Sequence, residues 1–131
     1  MSNTPKIRIL VVDDEESVRV TVAMLLRGRG YEVSIAEDGF DALLQMKNTL
    51  PELVVSDLNM PQMDGAEVLE SWTASTELKD VPVLLVSARP ELAQVVERYH
   101  VRASLAKPFD MDVLCAVMEQ LLAHPEPPPD G

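Results

Sequence analysis

Four of the five short apolar runs in this chain stop at residues that can do chemistry. The first is followed by Asp13 and Asp14, the third by Asp57, the fourth ends on Ser87, and the fifth is followed by Lys107. If the runs are strands of an open α/β sheet, these residues share the edge where such sheets bind ligands, beyond the carboxyl ends of the strands. Carboxylates gathered at one edge repel one another and would take up protons unless a cation joins them. Hard carboxylate oxygens suit Mg²⁺, which accepts one or two protein carboxylates and a phosphate oxygen while keeping several waters. Lys107 adds a flexible positive charge and Ser87 a hydroxyl donor. Metal, ammonium, hydroxyl and backbone N–H together would stabilise a phosphoryl group on a carboxylate. Asp57 is the natural acceptor, with Asp13 and Asp14 holding the metal.

Taken singly, each residue has a plainer explanation. Asp14 to Ser17 can cap a helix, Asp57 can begin a turn, and Lys107 can be a solvated surface lysine. Joint placement at one edge is what favours the chemical reading, and that placement depends on the elements. The runs 7–12, 32–36, 53–56, 81–87 and 104–106 are short and mostly rich in Val, Ile and Leu. Most lack polar alternation, as strands buried on both faces do. Between them, Val18, Val22, Leu25 and Leu26 fall on one helical face, as do Leu92, Val95, Val96 and Tyr99. Leu114, Val117, Met118, Leu121 and Leu122 make another such stripe. Residues 39–48 and 65–74 read as two shorter helices. Glu37-Asp38-Gly39 is read as a turn and helix start, Gly30 ends the first helix, and Pro90 suits the first turn of the fourth. Alternating strands and helices predict a (βα)₅ α/β fold, a doubly wound five-stranded parallel sheet with helices on both faces.

The 131 residues suit one domain. Residues 1–123 form it, and the proline-rich segment 124–131 is expected to be a disordered tail. A net charge of −11 argues against nucleic acid or an anionic membrane as the main partner. The single cysteine, Cys115, excludes an internal disulfide and reads as a small core residue. No stretch is long enough to span a membrane, and a cytoplasmic protein is expected. His100 and His124 read as surface residues.

The stretches "ILVVDDEESVR", "PELVVSDLNMPQMDG", "VPVLLVSA" and "LAKPF" resemble the receiver domains of bacterial two-component response regulators, from about Ile7 to Leu122. The middle stretch is the most specific: Asp57, Met60, Pro61, Asp64 and Gly65 fall at the family's spacing. The resemblance implies a flavodoxin-like sheet with strand order 2-1-3-4-5. It implies that Asp57 accepts a phosphoryl group from a histidine kinase or phosphotransfer protein. Asp13, Asp14 and Asp57 would bind Mg²⁺ with the backbone carbonyl of Asn59. Ser87 would be the switch hydroxyl, Ala88 a backbone N–H donor and Lys107 the phosphoryl partner, held by a cis Lys107–Pro108 bond. In the family the positions of Asn59 and Arg89 border the path of the hydrolytic water, so the resemblance implies that these two residues would set phosphoryl lifetime.

The chain departs from the pattern at Ser104, where the family usually carries the aromatic half of the switch, and at His100, where it often has Gly. The expected output is protein–protein contact through the face of the fourth helix, fifth strand and fifth helix. The protein would catalyse only its own phosphorylation and dephosphorylation. A phosphorelay intermediate, a phosphate sink and the N-terminal fragment of a longer regulator are the alternatives. An Asp-nucleophile phosphatase is a competing class, but a second Asp two residues after the nucleophile is missing. A receiver-like binding module that is never phosphorylated is another, opposed by the intact set of five site residues.

Overall fold

Runs rich in β-branched residues, too short for stable helices, pair into strands whose side chains alternate between two faces. The computed structural model describes residues 6–57, 81–88, 90, 92–99 and 103–123. Its strands are β1 (Arg8–Val12), β2 (Glu32–Ala36), β3 (Leu53–Asp57), β4 (Val83–Ser87) and β5 (Ala103–Ala106). The helices among the described residues are α1 (Glu16–Gly28), α2 (Gly39–Asn48), α3 (Leu92–Tyr99) and α4 (Met111–Ala123). α3 and α4 are the fourth and fifth helices of the sequence reading. The expected helix at 65–74 and the tail at 124–131 lie outside the described residues. Every strand pair is parallel, and the order is β2-β1-β3-β4-β5, as expected.

The strands differ in burial as their places in the sheet require. β3 is buried at all five positions, and β1 and β4 at all but their first. The edge strands β2 and β5 mix buried or half-buried positions with exposed ones. The continuous apolar runs are therefore the middle of the sheet. Neighbouring residues feed two separate cores. Ile9, Val11, Val55, Leu84 and Val86 pack on one face with Val22 and Leu26 of α1 and Leu114, Cys115 and Met118 of α4. Leu10, Val12, Val54 and Leu85 pack on the other with Ala42 and Met46 of α2, joined by Leu92 and Val96 of α3. Helices thus cover both faces.

The helix ends show why the chain turns where it does. Past α1, the Gly30 N–H donates to the Arg27 carbonyl at 3.1 Å and the Tyr31 N–H to the Leu26 carbonyl at 3.2 Å. Those two bonds are a Schellman motif, which needs a residue with positive φ, and Gly30 has φ 98°. Tyr31 and Leu26 then belong to the same core. The side chain of Asp38 caps α2, accepting from the Asp41 N–H at 2.9 Å. Some expectations shift. Leu25 is 42% exposed, whereas Ala23 is buried. The buried arc of α1 is centred between Val22, Ala23 and Leu26, and Leu25 falls beyond its edge. Strand boundaries move by up to two residues, and Pro90 stands in a turn ahead of α3. The side chains of Val95 and Tyr99 lie outside those described.

Candidate functional site

β1 delivers Asp13 to the carboxyl edge of the sheet, and the fold then fixes nearly every atom of it. Its N–H reaches the Ala36 carbonyl at 3.3 Å, prolonging the pairing with β2. Its carbonyl accepts from an Arg19 guanidinium N–H at 2.8 Å. Oδ1 accepts from the Glu15 N–H at 2.9 Å, and Oδ2 from Lys107 Nζ at 2.9 Å. Asp13 is buried and Asp14 beside it is exposed. The N-cap of α1 is Glu15, without a side-chain capping bond, so Asp14 is not spent on capping the helix.

β3 delivers Asp57 as its last residue, 4% exposed. Its Oδ2 accepts from Lys107 Nζ at 2.8 Å. The hydroxyl of buried Ser56 donates to the Asp57 carbonyl at 3.1 Å. β4 ends on buried Ser87, whose carbonyl accepts from the Lys107 N–H at 2.9 Å. That bond ties the end of β4 to the lysine that follows β5. Ala88 is exposed just beyond. The peptide bond between Lys107 and Pro108 is cis.

One ammonium therefore stands between two buried carboxylates. Asp13, Asp14, Glu15 and Asp57 bring carboxylate oxygens within 4.8 Å of one another. Four acids against one lysine leave excess negative charge. Burial pushes the Asp13 carboxyl above its ordinary range, although the bonds from Lys107 and the Glu15 N–H oppose it. Burial pulls the Lys107 ammonium down, but its bonds to Asp57 and Asp13 outweigh that and raise it. Such a donor set, all hard oxygens and partly buried, fits a divalent cation such as Mg²⁺.

Asp13, Asp14, Asp57 and Lys107 thus meet as a group, with Ser87 and Ala88 at the end of the neighbouring strand. Ser104 is exposed on β5, paired with Leu85 in the ladder. Asn59 and Arg89, together with Met60, Pro61, Asp64, Gly65, His100 and His124, lie outside the described residues. Sequence reasoning missed Glu15 and Arg19. Arg19 had a signal: a charged residue on the inward arc of α1, between Ala23 and Leu26 around the helix. It uses that position to hold the Asp13 carbonyl.

A family model described as the response regulator receiver domain matches residues 9–119. The response regulator MprA of Mycobacterium sp. (strain KMS) is 37% identical over 123 residues, covering 92% of this chain and 53% of the relative. The chain spans about half the length of the curated relatives it matches. Among solved structures, the chemotaxis response regulator CheY4 of Vibrio cholerae is 30% identical with a TM-score of 0.82, over 89% of this chain and 99% of that one. The response regulator TrrA of Thermotoga maritima, solved in complex with Mg²⁺ and BeF, is 30% identical with a TM-score of 0.79, over 88% and 98%. Among the described residues, no helix is long and apolar enough to cross a membrane.

Proposed function

The chain belongs to the response regulator receiver family, and on that premise we propose that Asp57 takes a phosphoryl group from a histidine kinase or phosphotransfer protein in an Mg²⁺-dependent reaction. The observation that carries this reading is the Lys107 ammonium bound to both Asp57 and Asp13 at the carboxyl edge of the sheet. It marks the place where anionic oxygens are held beside a positive charge. That TrrA is solved in complex with Mg²⁺ and BeF supports an Mg²⁺ site in this chain.

In the transfer, a carboxylate oxygen of Asp57 attacks phosphorus. The new O–P bond forms as the bond to the donor's imidazole nitrogen breaks, and that nitrogen keeps the electron pair. Asp13, Asp14 and Asp57 would hold Mg²⁺, with Asn59 completing the set through its carbonyl. An Mg²⁺ ion held by these residues would supply charge neutralisation for the phosphoryl oxygens. Lys107 offers the phosphoryl group an ammonium, Ser87 a hydroxyl and Ala88 a backbone N–H. Loss of the group is attack by water on phosphorus, returning the carboxylate and inorganic phosphate, with Asn59 and Arg89 setting its rate. Catalysis is confined to this self-modification.

The output is protein–protein contact in the cytoplasm through the face of α3, β5 and α4, with Ser104 altering how the switch at Ser87 is read. Because the chain spans about half of its curated relatives, a receiver segment of a longer regulator is the second reading. Incubation with Mg²⁺ and a small acyl phosphate should yield an acid-stable, base-labile phosphoryl adduct on the wild type. Asp57→Asn should lose it. An adduct that survives in Asp57→Asn, or turnover of many phosphate esters, would overturn the proposal.

A further inference from the structure

Glu15 stands at the N-cap of α1 with extended backbone, φ −85° and ψ 112°, yet its side chain makes no capping bond. Ser, Thr, Asp and Asn are the usual residues there. The Glu15 carboxylate lies beside the acid group instead. Its Oε1 is 3.9 Å from Lys107 Nζ, and its side chain is 61% exposed, so it has room to rotate. Its own N–H is bonded to Asp13 Oδ1, which fixes its backbone beside that carboxylate.

The ammonium of Lys107 and a divalent cation both seek Asp13. Lys107 already donates to Asp13 Oδ2, and two positive charges on one carboxylate oxygen repel. A cation held by Asp13 and Asp57 would compete with Lys107 for both carboxylates, and at Asp13 Oδ2 it would leave the ammonium short of an acceptor in a place where its side chain is only 15% exposed. Losing a charge-assisted bond there is costly unless another carboxylate receives it. Glu15 is within reach: closing to a charge-assisted distance of about 2.8 Å takes a shift of about 1 Å. Among the described ion pairs, Asp14 makes none with Lys107.

We infer that Glu15 is a positioning residue, the carboxylate that receives the Lys107 ammonium when a divalent cation displaces it from Asp13, keeping the ammonium beside Asp57. The inference rests on the metal-dependent receiver reading above. It makes Glu15 an aid to Mg²⁺ binding that works through Lys107.

Mg²⁺ titrations followed by backbone amide NMR shifts, at fixed ionic strength, test this in wild type, Glu15→Gln, Lys107→Met and the double variant. Glu15→Gln should weaken Mg²⁺ about two- to fivefold, the span of a partly exposed ion pair. Lys107→Met, lacking the competitor, should bind Mg²⁺ more tightly than wild type. In that background Glu15→Gln should change little. The same loss in both backgrounds would overturn the inference, since Glu15 would then act only as added negative charge, while the receiver reading would stand. A wild type that binds no Mg²⁺ would remove the metal-dependent reading and the inference together. Lys107→Gln offers a second background if Met disturbs the local packing.

Discussion

At Asp13, what suits folding and what suits chemistry differ. Its carboxyl is held above the ordinary range by burial, against the pull of Lys107. An acid whose pKa is higher folded than unfolded binds its proton more readily in the native state. Stability then falls as pH rises from the unfolded value of 3.8 through the raised folded one, and ionised Asp13 is a net cost above it. Lys107 runs the other way. Its contribution is full below its unfolded value of 10.5 and is lost as pH rises through its higher folded value. Near neutral pH the Lys107 contribution is full, and an Asn at position 13 keeps an oxygen that can accept from Lys107 while removing the Asp13 penalty. Asp13→Asn should raise the metal-free melting temperature at pH 7 by a few degrees. It should also lose the stabilisation that Mg²⁺ gives the wild type, and scanning calorimetry with and without Mg²⁺ reads both. Asp13, Asp57 and Lys107 were legible because each lies at a strand end. Glu15 was not, since an acid at a helix start looks ordinary until its carboxylate is seen near Lys107.

The elements were legible where burial was total. β1, β3 and β4 read as unbroken apolar runs because both of their faces are covered. The edge strand β5 offered only three residues to the eye, and Ala103 joins it through pairing with Leu84, a tertiary fact. α1 was recognisable by its period, but its inward face was displaced by one position: Leu25 is outside, and Ala23 and Arg19 take places nearer the core. Its ending was plain in Gly30. Open space surrounds a Cβ built there, so backbone conformation alone sets the cost of substitution. Gly30→Ala should destabilise by about 1 kcal/mol, with a lower urea midpoint and an unchanged slope. A null effect would mean that the Schellman turn relaxes freely.

At the scale of the molecule, the parallel order β2-β1-β3-β4-β5 puts β3 in the middle. The site then has acids from β1 on one flank of Asp57 and Ser87 at the end of β4 on the other, while the ammonium of Lys107, which follows β5, reaches across to bond both Asp57 and Asp13. That layout followed from the strand-end pattern and the resemblance together; composition contributed only the acidic excess. The same sheet divides the interior. Val54 and Val55 are sequence neighbours, yet they serve different cores. The sheet is thus a bulkhead between two compartments. Val22→Ala on one side and Val54→Ala on the other should each cost about 1–3 kcal/mol. Their double variant should equal the sum within about 0.5 kcal/mol in denaturant unfolding. Val22→Ala with Val11→Ala, both in one compartment, should depart from it. Packing on either side can then be retuned without the other side registering the change, leaving the acids at the rim of the bulkhead where they are.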